Sequence, residues 1–160
     1  MKCYVGDEEA TRKAIDKDGW LDTGDGAALD EEGFLYIKDR LKDIIIRGGE
    51  NIPSSDVENA LYAHPGVAEA AAVGIPDPIL GEVVGSVVSL HPQSSARPDE
   101  AELLGVVRPL LSRRAVPVIV VVHPEPLPRN VNGKIVKGDL RRIVADAWEA
   151  RRARQLRAKL

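Results

Sequence analysis

Three polar islands carry the residue types in this chain that can do chemistry. Asp22-Thr23-Gly24-Asp25 sets an acid directly after a glycine, and Asp39-Arg40-Leu41-Lys42-Asp43 interleaves acids with two cations. Pro128-Arg129-Asn130-Val131-Asn132-Gly133-Lys134 presents one lysine at the end of a glycine-bearing loop. An ionised aspartate only accepts hydrogen bonds, so Asp25 suits hydroxyl or guanidinium donors. Lysine is a flexible point charge with three donors, and Lys134 could bridge two anionic oxygens as negative charge builds between them. Each island also has a plainer reading: an Asx-turn at Asp25, a solvated turn at Arg40 and Lys42, and a surface lysine ahead of a helix at Lys134. Gly48-Gly49 is a fourth candidate, since backbone without side chains can approach a ligand closely or simply close a hairpin. It is not a Walker-type phosphate loop, because no Lys-Ser/Thr ending follows it.

The elements that must position these residues follow from apolar periodicity. Ile44-Ile45-Ile46-Arg47 is β-branched and bounded by charge and by Gly48-Gly49, which predicts a strand running into a tight loop. A helix should follow: Ser55 and Glu58 have capping-box spacing, Val57 and Leu61 share a face, and His64-Pro65-Gly66 stops it. Residues 67–75 and 83–90 read as buried strands separated by Pro76-Asp77-Pro78 and Gly81, and residues 91–98 as a polar loop. Leu103, Val106, Val107 and Leu110 predict a helix over 99–111. A β-branched run at 116–122 has Pro117 near its start, which suits an edge or first position. A last helix is expected from about Asp139 onward. Residues 1–38 read as short β-structure with turns at Asp18-Gly19 and Glu32-Gly33 and a strand at 34–37, with Trp20 as packing. That segment holds too few apolar residues to bury a core of its own. The order of elements predicts an α+β fold, a small mixed sheet flanked by helices, with no internal repeat.

Composition removes several function classes. With 160 residues and a net charge of -3, the chain lacks the clustered positive surface that nucleic-acid binding requires. Basic residues concentrate only in the tail, where positions 141–160 hold seven Arg or Lys against two acids. A lone cysteine, Cys3, excludes an internal disulfide framework. No apolar run reaches the length of a membrane span and no signal-peptide pattern opens the chain, so the expected location is cytoplasmic, with peroxisome or another intracellular compartment open. His64, His91 and His123 are each followed by proline and lack any zinc spacing, so no metal site is assigned.

Taken in order, the islands resemble the carboxyl-terminal signature of adenylate-forming enzymes, the superfamily of acyl-CoA synthetases, luciferases and peptide-synthetase adenylation domains. The resemblance spans roughly residues 1–143. It rests on Trp20-Leu21-Asp22-Thr23-Gly24-Asp25, on the Lys-Asp-x-Ile-Ile-x-x-Gly-x-Asn pattern from Lys42 to Asn51, and on Leu127-Pro128-Arg129 ahead of Asn132-Gly133-Lys134. It implies that Asp25 accepts from both ribose hydroxyls of ATP and that Arg40 reaches the ribose or phosphates. Lys42 would be the hinge, Lys134 the catalytic residue of adenylation, and Gly48 and Gly49 the flank of the pantetheine arm of CoA. Other branches carry a lysine or aromatic residue near Arg47 or Gly48, so the thiol-side contacts stay open.

The implied partition is 1–40, a β-rich remnant of a large amino-terminal domain; 41–143, the carboxyl-terminal AMP-binding enzyme domain; and 144–160, a basic helical tail. The implied activity is that of an acid–thiol ligase using ATP, Mg2+ and CoA as substrates of the intact enzyme, with none bound tightly by these residues alone. The string Ile45-Ile46-Arg47-Gly48-Gly49-Glu50-Asn51 leans towards fatty or related acyl-CoA ligases. The phosphate loop, the adenine-stacking segment and the acyl pocket would belong to the missing amino-terminal domain, which makes that domain the expected partner and leaves this chain inactive alone. The alternatives are an adenylation domain that loads a carrier protein and a non-catalytic or split-enzyme binding module.

Overall fold

A computed structural model describes residues 1–93 and 97–158. Part of the polar loop expected at 91–98, and Lys159 of the basic tail, lie outside the described residues. The chain divides into two compact units, Met1–Lys42 and Asp43–Leu160. The division falls two residues after the expected 40/41 boundary.

The first unit contains α1 (Glu8–Ala14), β1 (Asp25–Leu29) and β2 (Leu35–Arg40), the two strands pairing antiparallel. The helix corrects the all-β expectation for residues 1–38. Its signals are local: the Asp7 side chain caps it by accepting from the Ala10 N–H at 2.8 Å, with Glu8 and Glu9 in its first turn and Arg12 and Lys13 in its last. This arrangement favours a helix through both the cap and the macrodipole. Between the strands, Asp30 accepts from the Phe34 and Glu32 N–H groups. The Phe34 bond leads in holding that carboxyl below its ordinary range. Among the described residues, no hydrophobic side chain before Ile45 is buried. Trp20, expected to pack, is 76% exposed, and Phe34, Leu35 and Ile37 are also exposed.

The second unit holds β3 (Ile45–Arg47), β4 (Glu50–Ile52), α2 (Ser54–Tyr62), β5 (Val67–Asp77), β6 (Gly81–Leu90), α3 (Glu100–Val107), β7 (Ile119–His123) and α4 (Lys137–Arg157). Its mixed sheet runs β4-β3-β6-β5, all antiparallel, with β7 parallel to β6. Helices cover both faces. Ala70, Ala72, Val84 and Val88 pack against Val57 and Leu61 of α2 and Leu103 and Val107 of α3. The intervening residues Ala71, Val73, Ile75, Val83 and Val87 pack against Leu140 and Val144 of α4. Side chains alternate across a sheet, so two buried faces require the nearly continuous apolar stretches 70–75 of β5 and 83–88 of β6, where Ser86 is the one hydroxyl. Each fully buried valine or leucine contributes about 1.5–3 kcal/mol, which lets a sheet this small hold together. The fold is the α+β arrangement expected, with helices on a small mixed sheet.

Four local expectations differ from the structure. The α2 helix starts with Pro53 at its N-cap and no side-chain cap bond, so the Ser55–Glu58 capping box does not form. Glu58 instead accepts from the Ala72 N–H at 2.9 Å and pairs with Lys137 at 2.7 Å, tying α2 to β5 and α4. The α3 helix ends at Val107 rather than 111 because Pro109 has no N–H with which to continue the ladder. Pro117 lies outside β7, which begins at Ile119. The boundary drawn at 143/144 falls within the continuous helix α4.

Candidate functional site

Lys134 closes a narrow hairpin. Arg129 and Ile135 form an antiparallel bridge. The Asn130 N–H donates to the Lys134 carbonyl at 2.9 Å, and the Gly133 N–H to the Asn130 carbonyl at 2.9 Å. Gly133 turns the chain at φ +77°, a left-handed conformation that a residue with a Cβ rarely adopts. The Asn130 Oδ1 accepts from the N–H groups of Asn132 and Lys134 at 3.0 and 2.9 Å, which satisfies the tip locally. Lys134 itself is exposed, and among the described residues no acid pairs with its ammonium. Lys137, three residues on, is the opposite case. Its ammonium is held by Glu58 and by the Ser54 hydroxyl at 2.6 Å, so it is a structural cation.

What fixes this hairpin to the sheet is Glu69 of β5, a residue the sequence reading did not single out. One carboxylate oxygen accepts from Nε and Nη2 of Arg129. The other accepts from the Leu127 N–H at 2.6 Å and the Ser89 hydroxyl at 2.9 Å. Arg129 Nη1 meanwhile donates to the Gly133 carbonyl. Burial pushes the Glu69 carboxyl up, but the Arg129 guanidinium, the Leu127 N–H and the Ser89 hydroxyl outweigh it and hold the group below its ordinary value. The signal was present: Glu69 is an acid inside the apolar run 67–75, and such a group demands a partner. Which partner it finds, 60 residues away, no local pattern shows.

Gly48 and Gly49 form the two-residue loop of the β3–β4 hairpin, in which Arg47 opposes Glu50. Their φ values of +57° and +83° are those of a turn that matches strand twist and excludes most side chains. The loop is anchored through backbone: the Gly48 N–H donates to the Leu80 carbonyl at 2.7 Å, in the turn between β5 and β6. The Ile46 N–H adds a bond to the Glu82 carboxylate at 2.9 Å. In that same turn Asp77 accepts from the Leu80 and Ile79 N–H groups, which hold its carboxyl below the ordinary range. The Gly-Gly loop thus sits at the turn end of the β5–β6 hairpin, while Glu69 and Ser89 anchor the Lys134 loop at its open end. Eight residue steps along the strand, from 69 to 77, separate the two anchors by roughly 26 Å.

In the first unit, Asp25 and Arg40 are cross-strand partners in register, and Arg40 Nε lies 3.3 Å from Asp25 Oδ1. The Asx-turn belongs to Asp22, whose Oδ1 accepts from the Gly24 N–H, which leaves the Asp25 carboxylate facing Arg40. Lys42 lies in a single 3-10 turn, Leu41–Asp43, where the two units meet in sequence. Strand register therefore brings Asp25 to Arg40, whereas the Gly-Gly loop and Lys134 are kept at opposite ends of the β5–β6 hairpin. Among the described residues no group of three or more His, Cys, Asp or Glu is placed to hold a metal ion, and no helix is long and apolar enough to cross a membrane.

Comparison with known proteins gives a consistent set of likenesses. Residues 56–134 match the family described as AMP-binding enzyme C-terminal domain. A feruloyl-CoA synthase from Amycolatopsis is 46% identical over 142 residues, which is 89% of this chain and 28% of that protein. A long-chain-fatty-acid–CoA ligase from Mycobacterium tuberculosis is 42% identical over 141 residues, 88% of this chain and 27% of that protein. The solved o-succinylbenzoate CoA synthetase from Bacillus subtilis, in complex with its acyl-adenylate intermediate, superposes with a TM-score of 0.77 at 40% identity, covering 88% of this chain and 28% of that one. The same enzyme with ATP and magnesium ion gives 0.76 at 38% identity, covering 86% and 27%. The chain spans about a quarter of the length of the curated relatives it matches.

Proposed function

Because this chain belongs to the AMP-binding enzyme C-terminal domain family, we propose that it is the carboxyl-terminal part of an ATP-dependent acid–CoA ligase. In the first step a substrate carboxylate oxygen attacks the α-phosphorus of ATP and pyrophosphate leaves. In the second, the CoA sulfur attacks the acyl carbonyl, the bond to AMP breaks, and the thiol proton passes to solvent. Lys134 supports the first step, its free ammonium bridging the carboxylate and an α-phosphate oxygen as charge develops there. Asp25 takes the ribose hydroxyls, with Arg40 holding its carboxylate in place and adding positive charge beside the phosphates. Gly48 and Gly49 line the path of the pantetheine arm, where added side chains would intrude. Mg2+ enters with ATP as part of the substrate, and no residue of this chain is assigned to it. A compartment holding both ATP and CoA, the cytoplasm in the first instance, suits this chemistry. Feruloyl and long-chain fatty acyl relatives match about equally well, so the acyl class is left to the amino-terminal domain.

The observation that carries this reading is the separation of the two loops by the length of the β5–β6 hairpin. A single orientation cannot bring both to one reaction centre, so the unit must turn between steps, and Lys42 is the pivot proposed for it. The amino-terminal domain supplies the acyl and adenine pockets. The test is pyrophosphate exchange over a panel of carboxylic acids, with the chain alone and joined to an amino-terminal domain from a relative. The joined protein should exchange and the chain alone should not, because one or two charge-assisted bonds at Asp25, at about 1.5–3 kcal/mol each, fall well short of micromolar ATP binding. Robust exchange by the 160-residue chain alone would overturn the assignment.

A further inference from the structure

We propose that Glu69, acting through Arg129, is the positioning device for Lys134; this rests on the catalytic reading of Lys134 given above. The peptide group joining Gly133 to Lys134 is held at both ends. Its carbonyl accepts from Arg129 Nη1, and its N–H donates to Asn130 Oδ1 at 2.9 Å. With the next plane held as well, since the Lys134 carbonyl accepts from the Asn130 N–H at 2.9 Å, the direction in which the Lys134 side chain leaves the backbone is set, while the ammonium stays exposed. Arg129 can do this because its planar fork reaches two acceptors at once: Nε and Nη2 lie on Glu69, and Nη1 on Gly133. Glu69 in turn is held from both sides. It sits in β5 opposite Ser89 of β6, 16% exposed, with its second oxygen taken by Ser89 and Leu127.

Closing the hairpin does not require this clamp. The bonds from Asn130 N–H to Lys134 carbonyl, from Gly133 N–H to Asn130 carbonyl, and from Val136 N–H to Pro128 carbonyl already close it without Arg129. What the clamp adds is the placement of the loop relative to the sheet. A cation aimed at charge that appears only in the transition state needs that placement, because a misplacement of about 1 Å can cost on the order of 10²-fold in rate.

The experiment compares Arg129→Ala, Arg129→Lys and Glu69→Gln with Lys134→Ala in the complete ligase that contains this chain. It reads kcat and KM for ATP in the pyrophosphate-forming half, and thioester formation from synthetic acyl-AMP. Arg129→Ala should lower kcat of adenylation by roughly 10–100-fold, with KM for ATP little changed and the thioester half intact. Arg129→Lys keeps one charge but not two simultaneous acceptors, so it should fall between wild type and Arg129→Ala; it also serves if the alanine variant folds poorly. Glu69→Gln should move in the same direction. The decisive readout is the double variant. If Arg129 acts through Lys134, then Arg129→Ala should cost nothing further in the Lys134→Ala background, whereas a merely structural role would keep its full loss there. Additive losses, or equal damage to both half-reactions, overturn the positioning role while leaving Lys134 catalytic. Intact adenylation in Lys134→Ala alone overturns the reading of the site itself, and the positioning role with it.

Discussion

The Lys134 loop and the Gly48-Gly49 loop hang from opposite ends of one β-hairpin and are held by different physics. Side chains clamp the Lys134 loop, with a guanidinium and a partly buried carboxylate spanning 60 residues of sequence. The tip of the Gly-Gly loop is shaped by two left-handed glycines and hung on a backbone bond to Leu80, while side chains act only on its flanks, Glu82 on the Ile46 N–H and Arg114 on Glu50. The contrast follows from what each delivers under the proposed function. A loop that must aim a side chain needs its peptide planes fixed by strong, directional, charge-assisted bonds. A loop that must offer bare backbone needs conformations closed to side chains. Deleting a charge should therefore damage the first loop, and adding a methyl group the second.

The largest effect that could break this contrast is Lys134→Ala. Removing one preorganised donor to transition-state charge typically costs about 10²–10³ in rate, so pyrophosphate release in single turnover should fall by that factor while thioester formation from acyl-AMP survives. Lys42→Pro should reverse the pattern. Proline fixes φ within the turn where the two units meet, leaving adenylation but blocking the rotation that brings the glycine loop into use. If each variant harms both steps equally, the assignment of one loop to each step is wrong.

A methyl group tests the other loop. At Gly49, with φ +83°, an added Cβ meets nothing within 4 Å, so any cost of Gly49→Ala in the isolated domain is backbone strain alone, about 1–2 kcal/mol. Thermal unfolding of the 160-residue chain should drop by several degrees. In the complete ligase thioester formation should slow while adenylation holds. An unchanged melting temperature would show that the loop relaxes to another turn type, and the contrast with Lys134 would weaken.

Much of this arrangement was legible because its signals are local. The nearly continuous apolar runs of β5 and β6 announce strands buried on both faces. Gly48-Gly49 and Gly133 mark turns, and the spacing of Asp25, Arg40 and Lys134 carried the family resemblance. The failures divide in two. The α1 helix departs from the β-rich expectation for residues 1–38 although its cues are local: Asp7, the acids after it and the bases at its end. The roles of Glu58 and Glu69 could not have been read from spacing. Glu58 stands three residues after Ser55, as a capping box requires, but a strand N–H and Lys137 claim it instead. Glu69 signals only that it needs partners; Arg129, Leu127 and Ser89 are supplied by the fold. Trp20 is exposed rather than packed, since an aromatic in a segment without a core has nothing to pack on.

The smallest expected effect is a pH dependence confined to one loop. Protonating Glu69 removes the charge that holds Arg129, and its folded-state carboxyl titrates below the ordinary glutamate value, roughly 4.3. A depressed carboxylate contributes its stability above the unfolded value and loses it as pH falls through the folded one. The clamp should therefore be complete at pH 6 and weaken below about pH 4.3. Asp77, in the turn that anchors the Gly-Gly loop, is also depressed, chiefly because it accepts from the neighbouring N–H groups of Leu80 and Ile79, with the positive charges of Arg152 and Arg47 adding less. Hydrogen exchange corrected for intrinsic rates should thus show the Lys134 amide losing protection on acidification, while the Gly48 amide, bonded to a carbonyl that does not titrate, keeps it. In Glu69→Gln the Lys134 amide should be less protected at pH 6 and lose its pH dependence. Parallel loss at both amides would mean that acid loosens the whole sheet, and that the two loops are less independent than their anchors imply.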